Sequence, residues 1–130
     1  MNRKWVGTIY DLESMEANLE LELPQEVTKV EKSSTFEGKF RVTFGKELKK
    51  PEIEGPLSVQ VEGNKIRINY QSQTSMGNLA FEFNGEIINA EPFAKFSLFG
   101  TYRTKGGRGS SFFKGGSIIA WLFAGADKEK

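Results

Sequence analysis

The feature that most constrains the fold is a two-residue alternation of apolar and polar side chains, as in LELEL and TFEGKFRVTF. It recurs in five segments: 14–23, 35–44, 57–61, 65–70 and 79–88. Because successive side chains of a strand point to opposite faces, this period predicts strands with one buried and one solvated face. The best helical signal lies at 45–55, where Pro51 and Pro56 limit it to about one turn.

Three further segments, 5–10, 93–103 and 117–124, carry large apolar residues in both phases. Strands of that kind are buried on both faces, so their outer face is expected to meet a loop, a helix or another subunit. Together the segments predict one all-β domain over residues 1–130. We expect an antiparallel up-and-down meander of about eight to nine strands that closes into a barrel and so avoids exposed edges. A two-sheet β-sandwich is the alternative.

Turn residues divide these strands. Glu62-Gly63-Asn64 predicts a tight hairpin, and the amide- and hydroxyl-rich 71–78 predicts a polar loop. Ile88 breaks the alternation and suggests a bulge or bend near Gly85. The glycine-rich TKGGRGSSFFKGGS, 104–117, lacks the spacing of a P-loop or a dinucleotide loop and precedes a strand-like run. It therefore predicts a flexible loop and a turn rather than a phosphate-binding helix terminus.

The composition removes most common catalytic chemistries, because the chain contains neither cysteine nor histidine. Disulfides, thiol nucleophiles, Ser-His catalysis and His-ligated zinc are excluded together. No calcium-loop spacing is present, so neither a metal nor a cofactor is expected. No apolar run approaches the roughly 20 residues of a membrane helix, and the start of the chain has no apolar signal region. We expect a cytoplasmic protein without a membrane partner.

The charges are balanced overall but unevenly placed. The net charge is +1, yet residues 11–26 hold six acids and no base, whereas residues 92–126 hold five bases and no acid. Either the second segment forms a basic patch for an anionic partner, or the two segments lie side by side and offset each other. A single Gly-Arg-Gly is too little for an RNA-binding repeat, so no nucleic-acid partner is expected.

The chain resembles the calycin-type barrels, the lipocalin and avidin-like group. The likeness lies in Trp5 and Gly7 on the first strand, the run of alternating strands, the late FGTY at 99–102, and Trp121 on the closing strand. Lipocalins read Gly-x-Trp on the first strand, whereas this chain reads Trp-x-Gly. The resemblance implies a barrel architecture and a binding function, and it carries over no functional residue.

Two functional hypotheses from different classes follow. The first is a non-catalytic barrel that binds a small, partly apolar or anionic ligand in its mouth or lumen. Eight-stranded barrels are just wide enough to be filled by side chains or to hold one small ligand, and the eleven phenylalanines leave both open. The candidate ligand-binding residues are Phe40, Tyr70, Gln71, Gln73, Phe83, Tyr102, Arg103 and Arg108.

The second hypothesis is a homo-oligomeric structural or interaction protein with a filled barrel, associating through an apolar outer patch. The candidate interface residues are Trp5, Phe99, Phe112, Phe113 and Trp121. A weaker alternative is a small barrel cyclase or isomerase that works by positioning its substrate. No catalytic residue is assigned.

Overall fold

The structure, a computed structural model, describes residues 2–11, 16–29, 31–43, 53–74, 77–105 and 115–123. Within these ranges lie eight strands: β1 (Asn2–Asp11), β2 (Glu16–Pro24), β3 (Ser34–Thr43), β4 (Ile53–Glu62), β5 (Lys65–Thr74), β6 (Gly77–Asn89), β7 (Phe96–Lys105) and β8 (Gly116–Leu122). Each strand pairs antiparallel with the next along the chain, and β8 returns to pair with β1. The predicted closed up-and-down barrel is confirmed, and the sandwich alternative is wrong.

The alternation seen in the sequence is the alternation between barrel interior and barrel surface. In β2, for example, Ala17, Leu19, Leu21 and Leu23 are buried, while Glu16, Asn18 and Glu22 are exposed. The inward residues of all eight strands form one apolar core, to which Phe36 and Phe96 add partly buried rings. The two-residue period thus sets both the strand identity and the buried face.

The tight hairpin predicted at 62–64 is present between β4 and β5. Glu62 pairs with Lys65, which leaves Gly63 and Asn64 as the two turn residues. Gly63 has φ +64°, a conformation that costs glycine little because it has no Cβ. This turn fixes the register of the whole β4–β5 pair, and therefore which side chains share a row on the outer surface.

Two local predictions are wrong. Residues 71–74 and 77–78, expected in a polar loop, belong to β5 and β6, because their backbones continue the β5–β6 ladder from Gln71↔Ala80 to Thr74↔Gly77. No bulge interrupts β6 near Gly85, and Ile88 breaks no phase: it points outward and is 43% exposed, while Ile87 is buried. Of the segment 45–55, which carries the best helical signal, residues 53–55 start β4, and residues 45–52 lie outside the described part of the chain.

One end of the barrel is closed by a short turn after β2. Pro24 ends that strand, and the four-residue 3-10 turn Gln25–Thr28 follows, with Val27 1% exposed. Arg3 is also buried there, and its guanidinium donates a hydrogen bond of 3.4 Å to the Gln25 carbonyl.

No helix in the described ranges is long and apolar enough to cross a membrane.

The seam that closes the barrel depends on a glycine of β1. Gly7 lies opposite Ala120 of β8. A Cβ atom at position 7 would overlap the Ile119 carbonyl oxygen and lie 2.5 Å from the Cα atom of Ala120. The β1–β8 ladder can therefore close only because residue 7 has no side chain.

Candidate functional site

Three of the predicted ligand-binding residues, Phe40, Tyr70 and Tyr102, meet inside the barrel, toward the end opposite the 3-10 turn, where Phe81 joins them. The Phe40 and Tyr70 rings lie edge to face with centroids 4.5 Å apart, and Phe81 stacks on Tyr102 at 4.9 Å. Phe40 and Phe81 join the two pairs at 6.0 Å. Each ring comes from an inward position of a different strand, and each is at least 94% buried. The four rings pack against one another, so they fill this part of the lumen.

Deeper in the barrel the interior is filled as well. Phe83 is fully buried, and its ring occupies the space over Gly85, where an added Cβ would lie 2.5 Å from Phe83 Cζ. In the described part of the chain, the void enclosed by nine core side chains, Phe83 among them, measures about 10 Å³. That volume holds one water molecule at most. Small inward residues such as Gly85 therefore accommodate neighbouring rings rather than opening a ligand cavity.

The polar residues predicted to bind a ligand do not converge on the lumen. Gln71 and Arg103 are exposed on the outer surface. Arg103 Nε donates a hydrogen bond of 3.1 Å to Glu82 Oε1, so a carboxylate already offsets its charge. Gln73 lies in β5 by its backbone, with its side chain outside the described part of the structure. Arg108 lies outside the described residues.

An open groove of about 570 Å³ crosses the outer surface of β3–β7 and includes Gln71 and Arg103 in its lining. One side chain from each of these strands forms a single row across it. Register places the row in this order: Glu37, Ser58, Asn69, Glu82 and Arg103. Ser58 and Asn69 form the middle of the row. The sequence offered a signal for this pair, because the hairpin at Gly63-Asn64 fixes Ser58 opposite Asn69.

A different part of the outer surface carries a cluster of aromatic rings, called here the outer aromatic cluster: Phe93, Trp121 and Phe123. The centroid distances are 5.7 Å for Phe93–Trp121, 5.5 Å for Phe93–Phe123 and 6.5 Å for Trp121–Phe123. The amide of Lys95 donates a 2.8 Å hydrogen bond to the Leu122 carbonyl, which holds the β6–β7 connection against the end of β8. Phe93 is thereby placed on Trp121 while remaining 65% exposed.

The cluster continues into a wider apolar surface on β6, β7, β8 and β1. Trp121 pairs with Val6 of β1, and Phe99 pairs with Ile119 of β8. Ile88 of β6 is 43% exposed and Phe99 is 39% exposed. We call this set the outer apolar face: Val6, Ile88, Phe93, Phe99, Ile119, Trp121 and Phe123.

Of the predicted interface residues, Phe99 and Trp121 lie on the outer apolar face. Trp5 does not: it is 1% exposed and belongs to the core, so its placement on an outer patch has to be corrected. The sequence left its direction open because β1 is apolar in both phases. Phe112 and Phe113 lie outside the described residues. Phe93, Phe123 and Ile88 were missed, although the phase of β8 points Phe123 to the same side as Trp121.

Charges on the outer surface are offset between neighbouring strands. Lys4 Nζ of β1 lies 3.9 Å from Glu20 Oε1 of β2, and Lys39 and Arg41 of β3 pair in register with Glu22 and Glu20. The acidic β2 is therefore flanked by the bases of β1 and β3, whereas β7, with Arg103, is separated from it by β8 and β1.

Among the described residues, no group of three or more acidic side chains could hold a metal ion.

Comparison of the chain with models of protein families, with curated proteins and with solved structures finds no match in any of the three.

Proposed function

We propose that this chain is a non-catalytic interaction barrel that associates with a second copy of itself through the outer apolar face. The observation that carries the proposal is the exposure of large apolar side chains packed into one cluster, with Phe93 65% and Phe123 37% exposed. Rings that already hold one another in place lose little conformational freedom when a partner covers them.

The filled interior supports an external site. Within the described residues, the void of about 10 Å³ in the core offers no room for a small ligand or a substrate. A ligand-binding or isomerase function of the kind drawn from the sequence would need such room, or a site at the barrel mouth. The closed eight-stranded barrel is compatible with the calycin architecture suggested by the sequence, while the proposed activity lies on the outside of the barrel.

The size of the face suits a dimer. Its four most exposed side chains present roughly 400 Å² of apolar surface, at about 200 Å² for a fully exposed large side chain. A stable interface buries about 800 Å² per partner, of which an apolar core and a polar rim are both parts. The outer apolar face is therefore large enough for the core of such an interface, with its rim drawn from the surrounding polar residues.

The charges around the face favour a second copy over a strongly charged partner. Glu86 pairs with Phe99 at one margin, and Lys4, beside Val6 at the other, contacts Glu20. In a two-fold symmetric contact each margin can meet the opposite margin of the other copy, so Glu86 can face the Lys4–Glu20 pair on both sides. The net charge of +1 adds little repulsion between copies.

The proposal is tested by sedimentation velocity on the intact chain and on a Phe93→Ser, Phe123→Ser double variant. We expect the wild type to sediment as a dimer and the double variant as a monomer. Tyr10→Ser is the matched control, because Tyr10 is 47% exposed on β1 and pairs with Ser117, about 13 Å along β8 from Trp121. A monomeric wild type, or a double variant that stays dimeric, would refute the proposal.

A further inference from the structure

The outer groove over β3–β7 has a lining that the proposed self-association does not use. It lies about 13 Å along β7 from the outer apolar face, since Arg103 follows Phe99 by four residues. We propose that this groove is a second binding site, for a neutral oligosaccharide laid across the strands.

The shape of the groove suits a chain rather than a single small ring. It is open to solvent, and its volume of about 570 Å³ falls within the range of small-molecule sites. The row that crosses it runs from Glu37 on β3 to Arg103 on β7. Those four strand spacings make a path of about 19 Å.

The polar groups of the groove match hydroxyl chemistry. The Ser58 hydroxyl and the Asn69 and Gln71 amides each can donate and accept hydrogen bonds, which is what a sugar hydroxyl requires. Glu37 adds a carboxylate acceptor at one end of the row. Pro56 and Ala80 supply apolar contacts at the margins, against which the C–H faces of a sugar can pack.

The charges favour a neutral ligand over an anion. Arg103 is the only cation in the groove lining that the structure describes, and its Nε is hydrogen-bonded to Glu82 at 3.1 Å. With Glu37 the groove carries two acids and one base, so an anionic ligand would meet net repulsion. Glu82 is paired with Arg103, which leaves the single carboxylate of Glu37, and one carboxylate is too little to select a polycation.

The test uses ¹⁵N-labelled intact protein titrated with cellotetraose and with maltotetraose, following the side-chain amide signals of Asn69 and Gln71 by NMR. We expect saturable shifts of these signals with at least one of the two probes. Asn69→Leu should weaken that affinity about tenfold, the loss of more than one hydrogen bond. The matched control is Asn84→Leu. Asn84 is exposed on the outer surface of β6 but lies outside the groove lining, so this variant should bind as the wild type does.

The dispersed backbone spectrum of each variant reports its fold in the same experiment, and Ser58→Ala provides a second groove variant should Asn69→Leu fail to fold. The proposal is overturned if neither probe shifts the Asn69 and Gln71 signals. It is also overturned if spermine or a sulfated disaccharide saturates the same signals more tightly, or if Asn84→Leu weakens binding as much as Asn69→Leu. Because the readout is local to the groove, its outcome is independent of the oligomeric state.

Discussion

Phe93 and Trp121 meet edge to face on the outside of the barrel, with centroids 5.7 Å apart and ring planes at 79°. Phe93 comes from the β6–β7 connection and Trp121 from β8, so two separate segments build one exposed aromatic surface. Phe123 completes it at 5.5 Å from Phe93. Apolar surface concentrated in this way on a folded protein usually marks an interaction site.

The two tryptophans should differ sharply in their effect on folding. Trp5 is 1% exposed in the core, so Trp5→Ala should lower the free energy of unfolding by about 3–5 kcal/mol. Trp121 is only half-buried, so Trp121→Ala should cost about 1–2 kcal/mol in dilute solution. Urea denaturation of both variants checks this. Equal losses would contradict the placement of Trp5 inside and Trp121 outside.

Closure of the barrel should be intolerant of a side chain at Gly7. The Cβ of Gly7→Ala would meet the backbone of Ile119 and Ala120, and the cost should be on the order of 3 kcal/mol. Gly63→Ala is the control: its φ of +64° is strained for alanine, but no atom lies within 4 Å, so about 1 kcal/mol is expected. Urea midpoints rank the two, and a Gly7→Ala variant as stable as Gly63→Ala would disprove this account of the seam.

Opening the core should create a cavity that the native barrel lacks. Phe83→Ala removes a fully buried ring next to a void of about 10 Å³ and should cost about 3–5 kcal/mol. Benzene should then raise the melting temperature of the variant, because removal of the Phe83 ring leaves an apolar cavity of the shape of benzene. Calorimetry with and without benzene is the measurement. A comparable rise for the wild type would show that the lumen is already hollow.

The Arg103–Glu82 ion pair should matter little for stability. The Arg103 side chain is 70% exposed, so water and salt screen the contact. Arg103→Ala should change the free energy of unfolding by no more than about 0.5 kcal/mol. Thermal unfolding at low and high salt provides the check. A loss several times larger would mean that this pair anchors β6 to β7.

Most of the fold could be predicted from the sequence, because the apolar alternation and the Gly63-Asn64 turn are local signals. It failed at 71–74, where the phase that buries Ile68 and Tyr70 continues with Ser72 and Thr74, so no apolar alternation marks the strand. There the ladder to β6 extends β5 beyond the point where side-chain burial would predict it. Pairing between strands, which is not local, decides such positions.

The candidate sites were harder to predict for the same reason. The inward phase of β1 holds Arg3, Trp5 and Ile9, while Val6 and Tyr10 point outward, so hydrophobicity alone could not orient Trp5. Phe93 reaches Trp121 only because the β6–β7 connection docks on the end of β8. The expected cytoplasmic location stays a prediction.

The most direct test of the filled, self-associating barrel is native mass spectrometry of the protein purified gently from a cell extract. It measures the number of subunits and any bound small molecule at once. We predict a complex of two chains of 14.6 kDa each. We expect no bound small molecule that is released only when strong collisional activation disrupts the barrel. A monomer carrying a small molecule that survives until the barrel is disrupted would contradict both the filled interior and the outer interface.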